Sequence, residues 1–375
     1  MLWIPGPTHV RPELLALCAR PMFGHRGPVM RETIERLDPG LRLAFGLAPA
    51  STAHVAVHSV SATAMMESSL IGAGPRILSL VNGAFSRRWH QIAAALGKRT
   101  QILEVPWGEV VPSTALERAL GEQGPFDAVT VVASETSTGA ATPLAPLGEV
   151  LSAYPQTLLL VDVVSWIAGA PVDFDAQHLD FAFAGVQKAL ALPPGISVLC
   201  ASERYMERCR AQEHRGYALD PERIITGHAL RKTPATPAIP QYVALAQQLE
   251  DISAGVTLPE SAGHLSGSDA WAARFAKHER MRARTHGWAA GHGLPSFPAE
   301  QHASPTVSCL RANELDVAGL LAGLAQRGFE ISNGYGALKG ETFRIGHMGD
   351  HTEEGLEELL SAADEVLAGL PAAGH

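Results

Sequence analysis

Lys188 stands between two apolar runs in FAFAGVQKALALPPG (residues 181–195), directly ahead of a Pro-Pro-Gly turn. Lysine is seldom buried unless it is paired or used chemically. Read alone, Lys188 also fits a strand end that snorkels its ammonium to water. Asp162 closes a second apolar run, TLLLVD, as either a helix cap or a ligand partner. In a parallel α/β sheet, ligands gather beyond the carboxyl ends of the strands, and both residues reach that edge. An amine able to form a Schiff base, with a carboxylate able to keep a pyridine nitrogen protonated, is the pair that pyridoxal phosphate chemistry needs. HSVSATAMMESSLIG adds Ser61, Ala62 and Thr63 at the start of a predicted helix. Free N–H groups and hydroxyls there suit a phosphate. The same residues also read as a plain Ser/Thr helix cap.

The elements that must position these residues alternate along the first half of the chain. RILSLV (76–81), TQILEV (100–105), FDAVTVVAS (126–134) and TLLLVD (157–162) read as strands. FSRRWHQIAAALG and PLGEVLSAY between them have helical periodicity. Short apolar runs separated by helices predict a parallel sheet covered on both faces. LDFAFAG (179–185) and GISVLCAS (195–202) add two strands, the second antiparallel because the loop between them is short. Near residue 250 the texture changes, and DISAGVTLPESAGHLSGSDA reads as a linker. Beyond it a long helix leads into strand–helix–strand–strand–helix, a small α+β domain, and the final PAAGH reads as a frayed tail.

Composition removes several classes of function. The 375 residues carry a formal net charge of −9, without the basic stripe that a nucleic-acid partner requires. Cys18, Cys200, Cys209 and Cys309 form no C-x-x-C pair, so they read as thiols of a reducing compartment. His54 and His58 alternate on a strand, roughly 13 Å apart, and are no metal site. His347 and His351 span a Met-Gly-Asp turn with no helix to align them, so no metal is expected. MLWIPGPTHVRPE does not read as a signal peptide, and no apolar stretch approaches membrane-spanning length. The expectation is a cytoplasmic protein with no membrane partner. GAGP (72–75) follows a helix and precedes a strand, the reverse of a dinucleotide-binding turn.

PGPTHVRPELL, MFGHRGP, VNGAFSRRW, ETSTG, LLVDVVSWIAGAPVDFD, GVQKALALPPG, TPAIPQYVAL and LKGETFRIGHMGD occur in that order. With them the chain resembles class V, fold-type I pyridoxal-phosphate aminotransferases of the alanine–glyoxylate and serine–pyruvate branch. The resemblance implies an α/β fold with a large, mostly parallel, mixed seven-stranded sheet and a smaller C-terminal α+β domain. Residues 1–14 would pack at the active site, 15–252 would form the cofactor domain and 253–375 the small domain. It implies Lys188 as covalent anchor and proton shuttle, and Asp162 as partner of the ring nitrogen. Trp89 would stack on the ring, Val164 would pack beneath it, and Thr138 would bond its phenolic oxygen. Ser61, Ala62, Thr63 and Gln187 would hold the phosphate, joined across a homodimer interface by Thr236. Arg344 and Gly6 would line the substrate pocket, with His25 and Arg26 deciding between plain and phosphorylated donors.

The implied reaction is ping-pong amino transfer from alanine or serine to glyoxylate or pyruvate. Two departures bear on it: Ala62 replaces a usual glycine, and Thr233 a usual tyrosine three residues before Thr236. KTPATP and HRGP lean towards phosphoserine aminotransferases, so phosphoserine with 2-oxoglutarate is the alternative. A cysteine desulfurase is a remote one, since Cys309 lies in a strand-like run rather than a flexible loop. No second arginine for a dicarboxylate is evident in the expected pocket.

Overall fold

Apolar, β-branched runs too short for helices become the strands. They are β1 His54–His58, β2 Arg76–Val81, β3 Arg99–Glu104, β4 Ala128–Val132, β5 Ser134–Glu135 and β6 Ala140–Ala141. Next come β7 Leu158–Asp162, β8 Phe181–Gly185, β9 Ser197–Ala201, β10 Ser308–Arg311, β11 Ser332–Asn333 and β12 Thr342–Ile345. The structure, a computed structural model, describes Met1–Leu370, and the PAAGH tail lies outside the described residues. Seven strands form one sheet in the order β1-β9-β8-β7-β4-β2-β3. β9 runs antiparallel to β1 and β8, as its short connection predicted, while the pairs from β8 to β3 are parallel.

β4, β7, β8 and β9 are buried along their whole length, which is why they read as continuous apolar runs. Their side chains divide between two cores. Val129, Val131, Leu159 and Val161 join Leu37 and Leu41 in one. Leu158, Leu160, Phe181 and Phe183 join Met65, Trp89 and Tyr205 in the other. The parallel strands therefore all deliver their carboxyl ends to one edge of a fully covered sheet.

The predicted linker is shorter than its composition suggests. Helix Ile239–Ser253 runs into it, a 3-10 turn spans Glu260–Ala262, and helix Gly267–Gly291 starts inside it. Beyond, β10, helix Val317–Gln326, β11, β12 and helix Glu353–Gly369 occur in the expected order, with β12 central in an antiparallel three-stranded sheet. Trp3 belongs to this C-terminal core beside Leu310, Phe343 and Leu356, and stacks on His351 with centroids 3.8 Å apart.

A buried ionic hub ties these parts together. Arg274, with no exposed surface, donates to Asp350 at 2.9 Å, to Ala189 O at 2.7 Å and to Ala168 O at 2.9 Å. Asp350 also accepts from Arg11 Nε at 2.7 Å and from Gln248. Ala189 is the residue after Lys188, so the hub fixes the backbone that carries the lysine. Truncating one partner of such a network strands the others as buried charge. Asp350→Ala is expected to lower unfolding free energy by about 3–5 kcal/mol, read as a lower urea midpoint. An unchanged midpoint would show that the hub carries no stability.

Candidate active site

At the carboxyl edge of the sheet lies a cavity of about 310 Å³. Asp162 reaches it as the last residue of β7, and Gln187 and Lys188 reach it just beyond the end of β8. Ser61, Ala62 and Thr63 line it where helix Ala62–Ser69 begins, and Val164, Ser165 and Gly6 complete part of the wall. Ser61 Oγ accepts from Ala64 N at 3.3 Å, so it is a helix cap as well as a cavity residue. The cap satisfies Ala64 N, while the helix start leaves the Ala62 and Thr63 N–H groups without intrahelical partners, which is what an anion needs.

Asp162 is buried and Lys188 half-buried, and neither neutralises the other through direct contact. Burial pushes the Lys188 ammonium down to about 8, and the nearby Arg344 charge pushes the same way, against Asp162 and Glu135. Burial raises Asp162 to about 7, opposed by the Val164 N–H that donates to its Oδ1 at 2.8 Å. A cation brought to the other oxygen would pull that carboxyl back to its ionised form. A protonated pyridine nitrogen is such a cation. The amine, the carboxyl and the anion-ready helix start thus match the carbonyl, the ring nitrogen and the phosphate of pyridoxal phosphate. Gly6 explains its own identity, since its φ is +106° and a Cβ there would lie 2.7 Å from Lys188 Nζ. The ammonium donates to the Pro5 carbonyl next to it.

Two expected residues lie elsewhere. Trp89 is 1% exposed, donates to Met66 O at 3.1 Å and meets Phe183 edge-on in the core. Phe85, one turn earlier on helix Ala84–Ala95, lines the cavity in its place. The first turn of that helix sits at the strand edge, whereas Trp89 is a turn deeper beneath the sheet; distance from the helix start is the signal that separates them. Thr138 is buried and bonds only local backbone, donating to Glu135 O and accepting from Ala140 N, both at 3.3 Å. Thr136 and Ser134 face the cavity instead.

Glu135 and Arg88 carry weight that sequence reasoning missed. The fully buried Glu135 carboxylate accepts from Phe85 N at 3.0 Å and Ser86 N at 2.9 Å, capping the helix that presents Phe85. Nothing near it in sequence signals that partner. Arg88, three residues after Phe85 and so on the same helix face, also lines the cavity. The expectation that no second arginine reaches the pocket is therefore corrected. Arg344, 8% exposed on β12, donates to Asn333 O and to Thr136 O, both at 3.0 Å, and so reaches the rim.

Other residues are placed apart. Thr236 is exposed and lines a separate cavity with Ser59 and Thr233. His25 and Arg26 line a third, with Arg31, Arg231 and Lys232, away from Lys188 in the same chain. Cys309 is buried in β10, and burial pushes its thiol up to about 11, the opposite of what a sulfur-transfer nucleophile requires. His54 pairs with Glu203 at 2.6 Å and His58 bonds Ala218 O at 2.8 Å, so each has a structural partner.

In the ligand-free chain, the Lys188 amine should lose its proton as pH rises through about 8. Acylation at that residue, followed by peptide mapping, is expected to climb with an inflection there rather than near ~10.4, where an ordinary lysine titrates. Arg344→Gln removes a charge that disfavours the ammonium and moves the inflection upward. An inflection near that of free lysine would refute this electrostatic account.

The profile described as aminotransferase class-V matches residues 52–286. An uncharacterised aminotransferase of Methanocaldococcus jannaschii is 31% identical over 98% of this chain and 92% of its own. An L-aspartate–glyoxylate aminotransferase of Paracoccus denitrificans is 29% identical over 99% of this chain and 92% of its own. Among solved structures, the alanine–glyoxylate aminotransferase from Nostoc sp. superposes with a TM-score of 0.86 at 27% identity, over 98% of this chain and 94% of that one. A cavity built from strand-end lysine and aspartate, on a sheet matched from end to end, agrees with a profile that spans more than half of the residues: the chain belongs to the class-V aminotransferases.

Proposed function

We propose that the chain transfers the amino group of a short amino acid, alanine or serine among them, to glyoxylate or pyruvate. The observation that carries this reading is the sharing of one cavity by Lys188, Asp162 and the start of helix Ala62–Ser69. Pyridoxal phosphate, when bound, supplies the electron sink that makes the substrate α-proton acidic. Asp162 holds the ring nitrogen in its protonated form, and Gln187 with Ser61, Ala62 and Thr63 holds the phosphate. Phe85 and Val164 supply apolar wall to the ring. Lys188 Nζ, held towards its neutral form by burial, anchors the cofactor and then moves the proton at the substrate α-carbon. Arg344, oriented by Asn333 O and Thr136 O, receives the α-carboxylate through the N–H groups those contacts leave free. Gly6 leaves room for the amine to swing, because any side chain there would occupy its path.

Relatives named for glyoxylate as acceptor support the small oxo acid. The phosphoserine alternative needs His25 and Arg26 at the donor, and within one chain they line another cavity. The proposed assembly is a cytoplasmic homodimer in which Thr236, exposed and outside the lining of its own Lys188 cavity, meets the phosphate of the partner.

Lys188→Ala is expected to cut alanine–glyoxylate amino transfer by about 1,000-fold or more, since anchor and base are lost together. Near-normal turnover in that variant would overturn the reading. Thr236→Ala should weaken pyridoxal phosphate binding without changing the fold. A sedimenting monomer with full activity, and no affinity change in Thr236→Ala, would sink the shared-site dimer.

A further inference from the structure

Arg88 lies half-buried in the wall of the Lys188 cavity. Its guanidinium sits 4.8 Å from the Phe85 ring centroid, and Nη2 is 3.4 Å from the Tyr335 hydroxyl. Among the described residues it makes no ion pair with a carboxylate. A guanidinium braced by aromatic groups and lacking a counter-ion is a fixed cation open to a ligand.

Tyr335 links it to the second arginine. The Arg344 guanidinium stands 5.5 Å from the Tyr335 ring centroid, and its Nε and Nη1 are spent on Asn333 O and Thr136 O. Lys188 lies close enough that the Arg344 charge disfavours its ammonium. Arg88 and Lys188 thus line the cavity and Arg344 borders it through Thr136, while its wall carries one carboxyl, that of Asp162. The nearby Glu135 carboxylate is already used in capping helix Ala84–Ala95. An amino acid with a single carboxylate engages one arginine and leaves the other uncompensated in a partly desolvated wall. A donor with two carboxylates answers both. The cavity, about 310 Å³, must also hold the cofactor, which favours a four-carbon acid over longer ones.

We propose that Arg88 is a specificity-determining residue that binds the side-chain carboxylate of an acidic donor, making aspartate a better donor than alanine. This rests on the aminotransferase reading above. Arg88 has one competing role, since its charge also favours ionised Asp162. That role would affect every donor alike, whereas carboxylate binding separates them.

The test uses the cofactor-loaded protein and its Arg88→Gln and Arg88→Lys variants. Steady-state kinetics compare aspartate with alanine, glyoxylate being the acceptor for both. Calorimetry compares succinate with butyrate, four-carbon acids with two carboxylates and one, and needs no turnover. In the wild type, aspartate should show the larger kcat/KM and succinate the smaller Kd. Arg88→Gln should lower kcat/KM for aspartate by about 10- to 100-fold, the range of a lost charge-assisted bond. Alanine should fall by much less, and succinate affinity should drop towards that of butyrate. Arg88→Lys, which keeps the charge but not the fork, should retain part of the preference. Equal losses for both donors in Arg88→Gln, or succinate binding no tighter than butyrate in the wild type, would overturn the proposal while leaving amino transfer from alanine intact. Absence of amino transfer from either donor would instead remove the reading beneath it.

Discussion

An amine and a carboxyl must be held at the end of an apolar sheet without collapsing into a salt bridge. Lys188 at about 8 and Asp162 at about 7 are each shifted towards neutrality, burial being the main cause in both. A direct pair would restore both to their charged forms and close the space between them. Keeping them apart leaves each with unmet demand, which a ligand carrying a carbonyl at one end and a basic ring nitrogen at the other satisfies. Most of the surrounding structure serves that separation.

Support comes from two directions. Beneath the lysine, the Arg274–Asp350 hub grips Ala189 O and gathers Arg11 and Gln248 from distant elements. Gly349, at φ +84°, lies close under the same loop, since a Cβ there would meet Ala191 Cβ and Thr8 Cγ2 at 3.1 Å and the Lys188 carbonyl at 3.6 Å. Across the cavity, Glu135 caps helix Ala84–Ala95 and thereby sets the position of both Phe85 and Arg88. Buried polar groups of this kind are costly unless fully satisfied, and both carboxylates have several donors. The site is therefore stiff where it holds backbone and open where it faces a ligand.

Much of the architecture was legible because it rests on local rules. Continuous apolar runs of five or six residues marked strands covered on both faces, and a short connection marked β9 as the antiparallel one. The linker was overdrawn because glycine and serine near its ends sit at helix termini, with Gly255 at φ +73° just after one helix and Ser266 just before another. Trp89 misled for a related reason. It fits an aromatic stacking role by type, yet its place one turn beyond Phe85 points it at Phe183 rather than at the strand edge.

By itself the sequence determined the strand runs, the helix starts, and the appearance of Asp162, Lys188 and Ser61 where chain segments leave the sheet. Those features arise from periodicity, capping and strand termination, which act over a few residues. Tertiary structure alone decided that Glu135 meets the start of a helix 50 residues away in the chain. It likewise decided that Arg88 faces the cavity, that Thr136 rather than Thr138 borders it, and that Arg274 reaches the carbonyl beside Lys188. Whether a charge is buried, and what compensates it, depends on which layers stack against it, and no local pattern contains that information.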